Sequence, residues 1–270
     1  MHAPHAAGIG CQITRAPLNI AAMDQTLLIA LVVVAYLLAG LVKGIVGMGL
    51  PTVALGILAA VISPAQAAAI LIAPSLATNV WQMVDGPYFL RLLKRLGGML
   101  AGMFVGAWLG AGILTGENAK PAAIGLGLVL ILYALLGLSK LKFSVPQRIE
   151  VWLGPLVGLA TGYIMAATGV FVIPALPYLQ AIGLEKDELV QALGLHFTVS
   201  TMALALVLWD GGAFTTTMGT LSLLAIVPAL LGMYAGQRIR KCISAEAFRI
   251  CMYLALLALG ANLVVRNVTW

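Results

Sequence analysis

Hydrophobic and polar positions do not alternate along this chain; they come in blocks. Uncharged, mostly apolar stretches occupy 25–42, 51–84, 96–116, 121–139, 151–184, 189–209 and 211–237, and the charges fall between them. A helix crossing the roughly 30 Å hydrocarbon layer needs about 20 mostly apolar residues, and several of these stretches reach that length. In lipid, only helices and closed barrels satisfy their own backbone groups. Strands of a membrane barrel alternate with period two, and that alternation is missing here. The pattern predicts an all-α polytopic membrane protein.

Two blocks resist this simple count. Segments 50–62 and 170–182 are too short to cross as ordinary helices. The first nevertheless carries Leu50, Val53, Leu55, Ile57, Leu58, Val61 and Ile62, which rules out a loop in water. Both are expected inside the bilayer, as short spans or as re-entrant segments protected by protein.

The blocks also repeat. Gly40 and Gly44 recur as Gly158 and Gly162, an offset of 118 that also carries Leu58 to Leu176. Asp85-Gly86 matches Asp210-Gly211 at 125, and Gly102, Gly106 and Gly110 match Pro228, Gly232 and Gly236 at 126. The growing offset fits a hydrophilic insertion around Glu185, Lys186, Asp187 and Glu188. Each half reads as a glycine-broken helix, a short apolar segment, a helix ending at Asp-Gly, and two more helices.

Charge then chooses a topology. If the short segments do not cross, the Lys and Arg of loops and tails divide about evenly between the two faces. If they cross, one face holds Arg91, Lys94, Arg95, Lys140, Lys142, Arg148, Lys186, Arg238, Arg240, Lys241 and Arg249. The other then holds only Arg15, Lys120 and Arg266. The second division obeys the positive-inside rule far better. It predicts five segments per half, eight long helices plus two short or re-entrant ones, with both termini outside the cytoplasm. Because five is odd, the halves 25–142 and 143–270 are expected to be inverted repeats. Transporters built this way place the substrate near the midplane, between the repeats.

Composition sharpens the exclusions. The chain is 62% hydrophobic and 9% charged, with a mean hydropathy of +1.06; soluble domains carry about a quarter charged residues. The formal net charge of +6 sits in short inter-helix loops, so no nucleic-acid partner is expected. Cys11, Cys242 and Cys251 have neither metal-site spacing nor an even disulfide count, and Cys251 is expected to pack inside its helix. Residues 1–24, with His2 and His5, read as a disordered tail without the pattern of a signal peptide, Met23 being a second option for the start. No cofactor and no catalytic set are expected.

The candidate chemistry lies in the broken helices. Gly40, Gly44, Gly47 and Gly49 before Pro51 predict a helix break whose free amides suit an anion; close helix packing is the other use of such glycines. Gly162, Gly169, Pro174 and Pro177 repeat the theme. Lys43, within the first run, is read either as the group recognising an anion's charge or as a lysine snorkelling to the interface. Ser75, Thr78 and Asn79 follow Pro74 in the third segment, and His196, Thr198, Ser200 and Thr201 lie in the matching region. These groups are candidates to line a shared cavity, although Ser and Thr hydroxyls often bond back to their own helix. His196 is either a structural hydrogen-bonder or a proton carrier. The substrate-binding set is therefore Lys43, Gly44, Gly47, Gly49, Ser75, Thr78, Asn79, Gly169, His196 and Ser200. Gly98, Gly102, Gly106 and Gly110, every four residues, form a packing stripe.

These motifs resemble the sulfite exporter TauE/SafE family, whose pattern is roughly Gly-x3-Gly-x2-Gly-x-Gly-Gly-Gly-x4-Pro-x-Leu. Gly40, Gly44, Gly47, Gly49 and Leu58 match it in the first half, with Leu50, Pro51 and Gly56 as departures. Gly158, Gly162, Gly169, Pro174 and Leu176 match it in the second, where Met165, Ala167 and Thr168 depart. The resemblance implies eight helices, against ten segments from the loop charges. It also implies a secondary transporter of sulfite, organosulfonates or related small anions in a bacterial-type inner membrane. An uptake permease for another anion and a non-transporting membrane-complex subunit are the alternatives. The expected partners are the anion and the bilayer, a homodimer being an option.

Overall fold

The computed structural model describes residues 25–115, 119–139, 144–239 and 245–268, which are helical with no strand among them. The expectations for the 1–24 tail, with His2, His5, Cys11 and Arg15, lie outside these residues. So do those for Lys140, Lys142, Arg240, Lys241 and Cys242. The helices are α1 (Gln25–Val46), α2 (Leu50–Ala59), α3 (Pro64–Val84), α4 (Phe89–Leu109), α5 (Ala119–Leu138) and α6 (Gln147–Thr168). They continue as α7 (Ala175–Ala181), α8 (Lys186–Asp210), α9 (Thr216–Leu224), α10 (Ile226–Ile239) and α11 (Ala245–Val268). Among the described residues, eight spans are long and apolar enough to cross a membrane, α9 and α10 together making one of them. At 1.5 Å per residue the ten residues of α2 cover about 15 Å, half the layer.

Local chemistry sets the breaks. Gly47 and Gly49 both take positive φ, 86° and 104°, and so divide α1 from α2 at a place where a side chain would be strained. Gly169, with φ of 78°, ends α6 in the same way. Ser63 starts α3 with a capping box closed by Gln66 and with Pro64 in the first turn. The hydrophilic insertion proves to be the start of α8, where Glu185 and Glu188 form a second capping box.

Helix directions follow from the side chains that meet. Gly40 faces Ala229 and Met233, and Gly44 faces Met233 and Gln237, so α1 and α10 run the same way. Gly102, Gly106 and Gly110 meet Pro155, Leu159 and Tyr163 in turn, so α4 and α6 do too. By contrast, Gln82 meets Val190 while Gln66 shares a recess with Gly212, which makes α3 and α8 antiparallel. Gly127 packs on Gly260, and Gly137 on Tyr253, so α5 and α11 are antiparallel as well. Each large interface therefore joins one half to the other.

Lys43 reaches Thr78 and Gly47 meets Gln82, so α1 and α3 run in the same direction. Residues 47–63, α2 among them, must carry the chain back between the two. The same reasoning through α4, α6 and α8 makes residues 169–185 a return as well.

The outside of the bundle is apolar. Val34, Leu37, Trp108, Trp152, Leu206, Trp209 and Leu254 are exposed, an arrangement suited to lipid. Trp81 and Trp152 lie toward one face of the bundle and Trp108 and Trp209 toward the other, as interfacial tryptophans do. Cys251 is exposed on α11 rather than packed within the bundle, because its helix turns that position outward.

Candidate anion-binding site

The fold gathers part of the expected polar set in the gap between α1 and α3. Lys43 is 4% exposed, which excludes the snorkelling lysine. Its ammonium donates to Thr78 Oγ1 at 3.0 Å and to Asn79 Oδ1. Because Lys can only donate, this contact fixes the Asn79 amide with its oxygen toward Nζ and its NH₂ pointing elsewhere. Thr78 is held from below, donating to the carbonyls of Pro74 and Ser75. Pro74 lies inside α3, and the residue before it finds a partner beyond its own helix: Ala73 N–H donates to Ser222 Oγ at 3.0 Å.

What the cluster lacks defines it. Among the described residues no carboxylate pairs with Lys43; Arg91–Glu188 and Arg95–Glu150 form ion pairs near one end of the bundle. Asn79 Nδ2 and Ser75 Oγ are buried without a partner. A buried cation beside the unpaired Asn79 N–H is incomplete, and buried polar groups without partners are uncommon. An oxyanion, all acceptor and negatively charged, would supply what the ammonium and the amide are missing.

The glycines divide by role. Gly44 presents its α-carbon to α10, where a Cβ would collide with the Met233 carbonyl, whereas a Cβ at Gly47 would enter open space. Gly47 offers its carbonyl to Gln82 Nε2 at 3.4 Å. Gly49 caps α2, and Gly169 packs on Ala68 and Leu55.

The second-half residues form a separate group. His196 Nε2 lies 3.0 Å from the Phe171 carbonyl, which can only accept, so Nε2 carries the proton. The ring thereby ties α8 to the non-helical stretch before α7, while Nδ1 is buried without a partner. Ser200 donates to the His196 carbonyl at 2.8 Å and contacts Met103 Sδ. Thr198 and Thr201 bond back to Gly194 and Phe197 in their own helix. Among the described residues no hydrogen bond joins this group to Lys43.

Gln82, Ser222 and Tyr36 were missed from sequence. Tyr36 is fully buried with an unpaired hydroxyl, and its sole signal was a position two helical turns before Lys43. At the ends of the bundle lie two surface recesses. One is bordered by Arg91, Lys94 and Arg95; the other, of about 250 Å³, lies at the starts of α3 and α9, with Gln66 and Thr215 among its walls.

The model of the sulfite exporter TauE/SafE family matches residues 32–263. The chain belongs to the sulfite exporter TauE/SafE family. No curated protein and no solved structure matches it. Family membership and the eight apolar spans make this TauE/SafE chain an integral membrane protein, and membership implies a transporter of sulfur-containing anions. The match runs from within α1 to within α11, so the Lys43 and His196 groups both lie inside the TauE/SafE region.

Proposed function

We propose that this TauE/SafE protein exports sulfite or an organosulfonate as a secondary transporter, binding the anion at Lys43, Thr78 and Asn79. The observation that carries the reading is an ammonium buried without a carboxylate, beside an Asn79 N–H that has no acceptor. Alternating access between two inverted repeats, residues 25–142 and 143–270, moves the site from face to face. Helix directions support that reading: α1 pairs with α10 as α4 pairs with α6, and α3–α8 and α5–α11 each join corresponding helices. With five segments per half, both termini lie outside a bacterial-type inner membrane. Gly47, Ser75, His196, Ser200, Gly49 and Gly169 shape or extend the path, and Gly44 lets α10 approach.

Export needs no coupled ion. A cytoplasm-negative potential contributes about 2.3 kcal/mol per negative charge per 100 mV. The test is counterflow of labelled sulfite into proteoliposomes containing the purified protein. Saturable exchange is expected, and Lys43→Met should abolish it while the variant remains folded. Wild-type exchange kinetics in that variant would remove Lys43 from the site.

A further inference from the structure

On α1 and α3, three buried polar atoms have no hydrogen-bond partner: Tyr36 OH, Ser75 Oγ and Asn79 Nδ2. The proposed site uses the last of these directly and leaves the other two unexplained. Tyr36 precedes Lys43 by two turns and so shares its face of α1, about 10 Å nearer the helix start. Ser75 precedes Asn79 by one turn, about 6 Å, on α3. Because α1 and α3 run in the same direction, both steps lead the same way from the ammonium. Between Tyr36 and Lys43 on that side stand Ala39, buried and small, and Gly40, which packs on Ala229 of α10. Beyond Ser75, the Ala73 amide is met by the buried hydroxyl of Ser222.

An unpaired phenol in an apolar core is worse than phenylalanine, because its hydroxyl is desolvated for nothing. Serine without a partner has the same defect. Both hydroxyls become useful if an oxyanion passes them.

We propose that Tyr36 and Ser75 form a second station for the anion, between Lys43 and the recess at the starts of α3 and α9. The proposal rests on the reading of Lys43 as the primary site. An anion leaving that ammonium toward the recess needs donors on the way. Two neutral hydroxyls supply them while holding the ion less tightly than a charge does, so it moves on. Their function is therefore in the rate of passage rather than in primary affinity.

The experiment measures two quantities with sulfite as the probe: its Kd by calorimetry in detergent, and its counterflow rate in proteoliposomes. Tyr36→Phe and Ser75→Ala should each slow counterflow by about 3- to 10-fold, the loss of one hydrogen bond in a barrier, and the double variant further. Kd should stay within about twofold, as a primary site left intact requires, and the thermal midpoint should not fall. Wild-type counterflow in the double variant overturns the station and makes both hydroxyls merely structural. A Kd weakened as much as the rate overturns it too, since the hydroxyls then belong to the Lys43 site. Should Tyr36→Phe fail to fold, Ser75→Ala carries the comparison alone. Sulfite binding that survives Lys43→Met brings down the primary site instead, a result separable from the others.

Discussion

Lys43 and Asn79 are coupled in a way that separates binding from stability. Burying an ammonium without a counter-charge is costly, and its hydrogen bonds to Thr78 and Asn79 offset part of that cost. Lys43→Met removes the charge and its cost together, so the thermal midpoint in detergent should hold or rise while sulfite binding disappears. Asn79→Leu instead leaves the ammonium with Thr78 as its one described partner. It should destabilise the protein by about 1–3 kcal/mol, the range for stranding a buried polar group. Combining the two changes should restore most of that loss, since the stranded charge is gone. A double variant as unstable as Asn79→Leu alone would mean that Asn79 supports the fold independently of Lys43. Sequence could pick out Lys43 as an isolated charge in an apolar run, and Asn79 as an amide in another. It could not pair them, because two residues 36 apart meet only through the direction and spacing of α1 and α3. Tyr36 stayed hidden for a related reason: a tyrosine in a membrane helix is ordinary until its hydroxyl is seen to lack a partner.

Among the elements, the four-residue glycine rows hold the helix pairs together. At Gly106 an added Cβ would overlap the Leu159 carbonyl, and at Gly158 the Met99 carbonyl; at Gly97 and Gly219 it would meet nothing. Backbone cannot retreat as a flexible side chain can. Gly106→Ala should therefore force α4 and α6 apart and cost at least the 1–3 kcal/mol typical of overpacking. Gly97→Ala, on the same helix, should be neutral or slightly stabilising, as alanine favours helix over glycine. Thermal unfolding of the two purified variants decides, and equal midpoints would refute the packing role. This stripe was legible in sequence because its four-residue period is itself the geometry of a helix face. Gly44 was less so. It sits inside a run that also contains a true break at Gly47 and Gly49, and composition alone does not separate a glycine that admits a neighbour from one that turns the chain. The split of the 216–239 span at Ala225 was also missed, although Pro228 marks it: a proline there cannot donate to the Leu224 carbonyl, where α9 ends.

At the scale of the whole molecule, polar contacts between the halves gather where α3 hands over to α4. Arg95 grips Glu150 of α6 through two bonds, of 2.7 and 2.9 Å, and also donates to the Ile182 carbonyl at 2.8 Å. Gln191 of α8 donates to the carbonyls of Met83 and Gly86 and accepts from Tyr88 N–H. With its side chain 20% exposed and that of Glu150 11%, Arg95→Ala would strand a largely buried carboxylate. The expected loss is about 3–5 kcal/mol, read as a fall in thermal midpoint that Arg95→Ala/Glu150→Ala partly reverses. This basic end also supports the orientation proposed above. Arg91, Lys94 and Arg95 cluster there, and the positive-inside rule favours the cytoplasm for them. The helix directions put Thr217, near the start of α9, on the opposite face. In a background with all three cysteines replaced, Thr217→Cys should react with a membrane-impermeant thiol reagent in intact cells, and Lys94→Cys only after the membrane is opened. Labelling of both from outside, or the reverse order, would overturn the orientation. Inverted repeats rest on the direction of α1 against α6. That relation requires residues 47–63 and 169–185 each to return across the layer, so cysteines just before and just after each segment must report opposite faces.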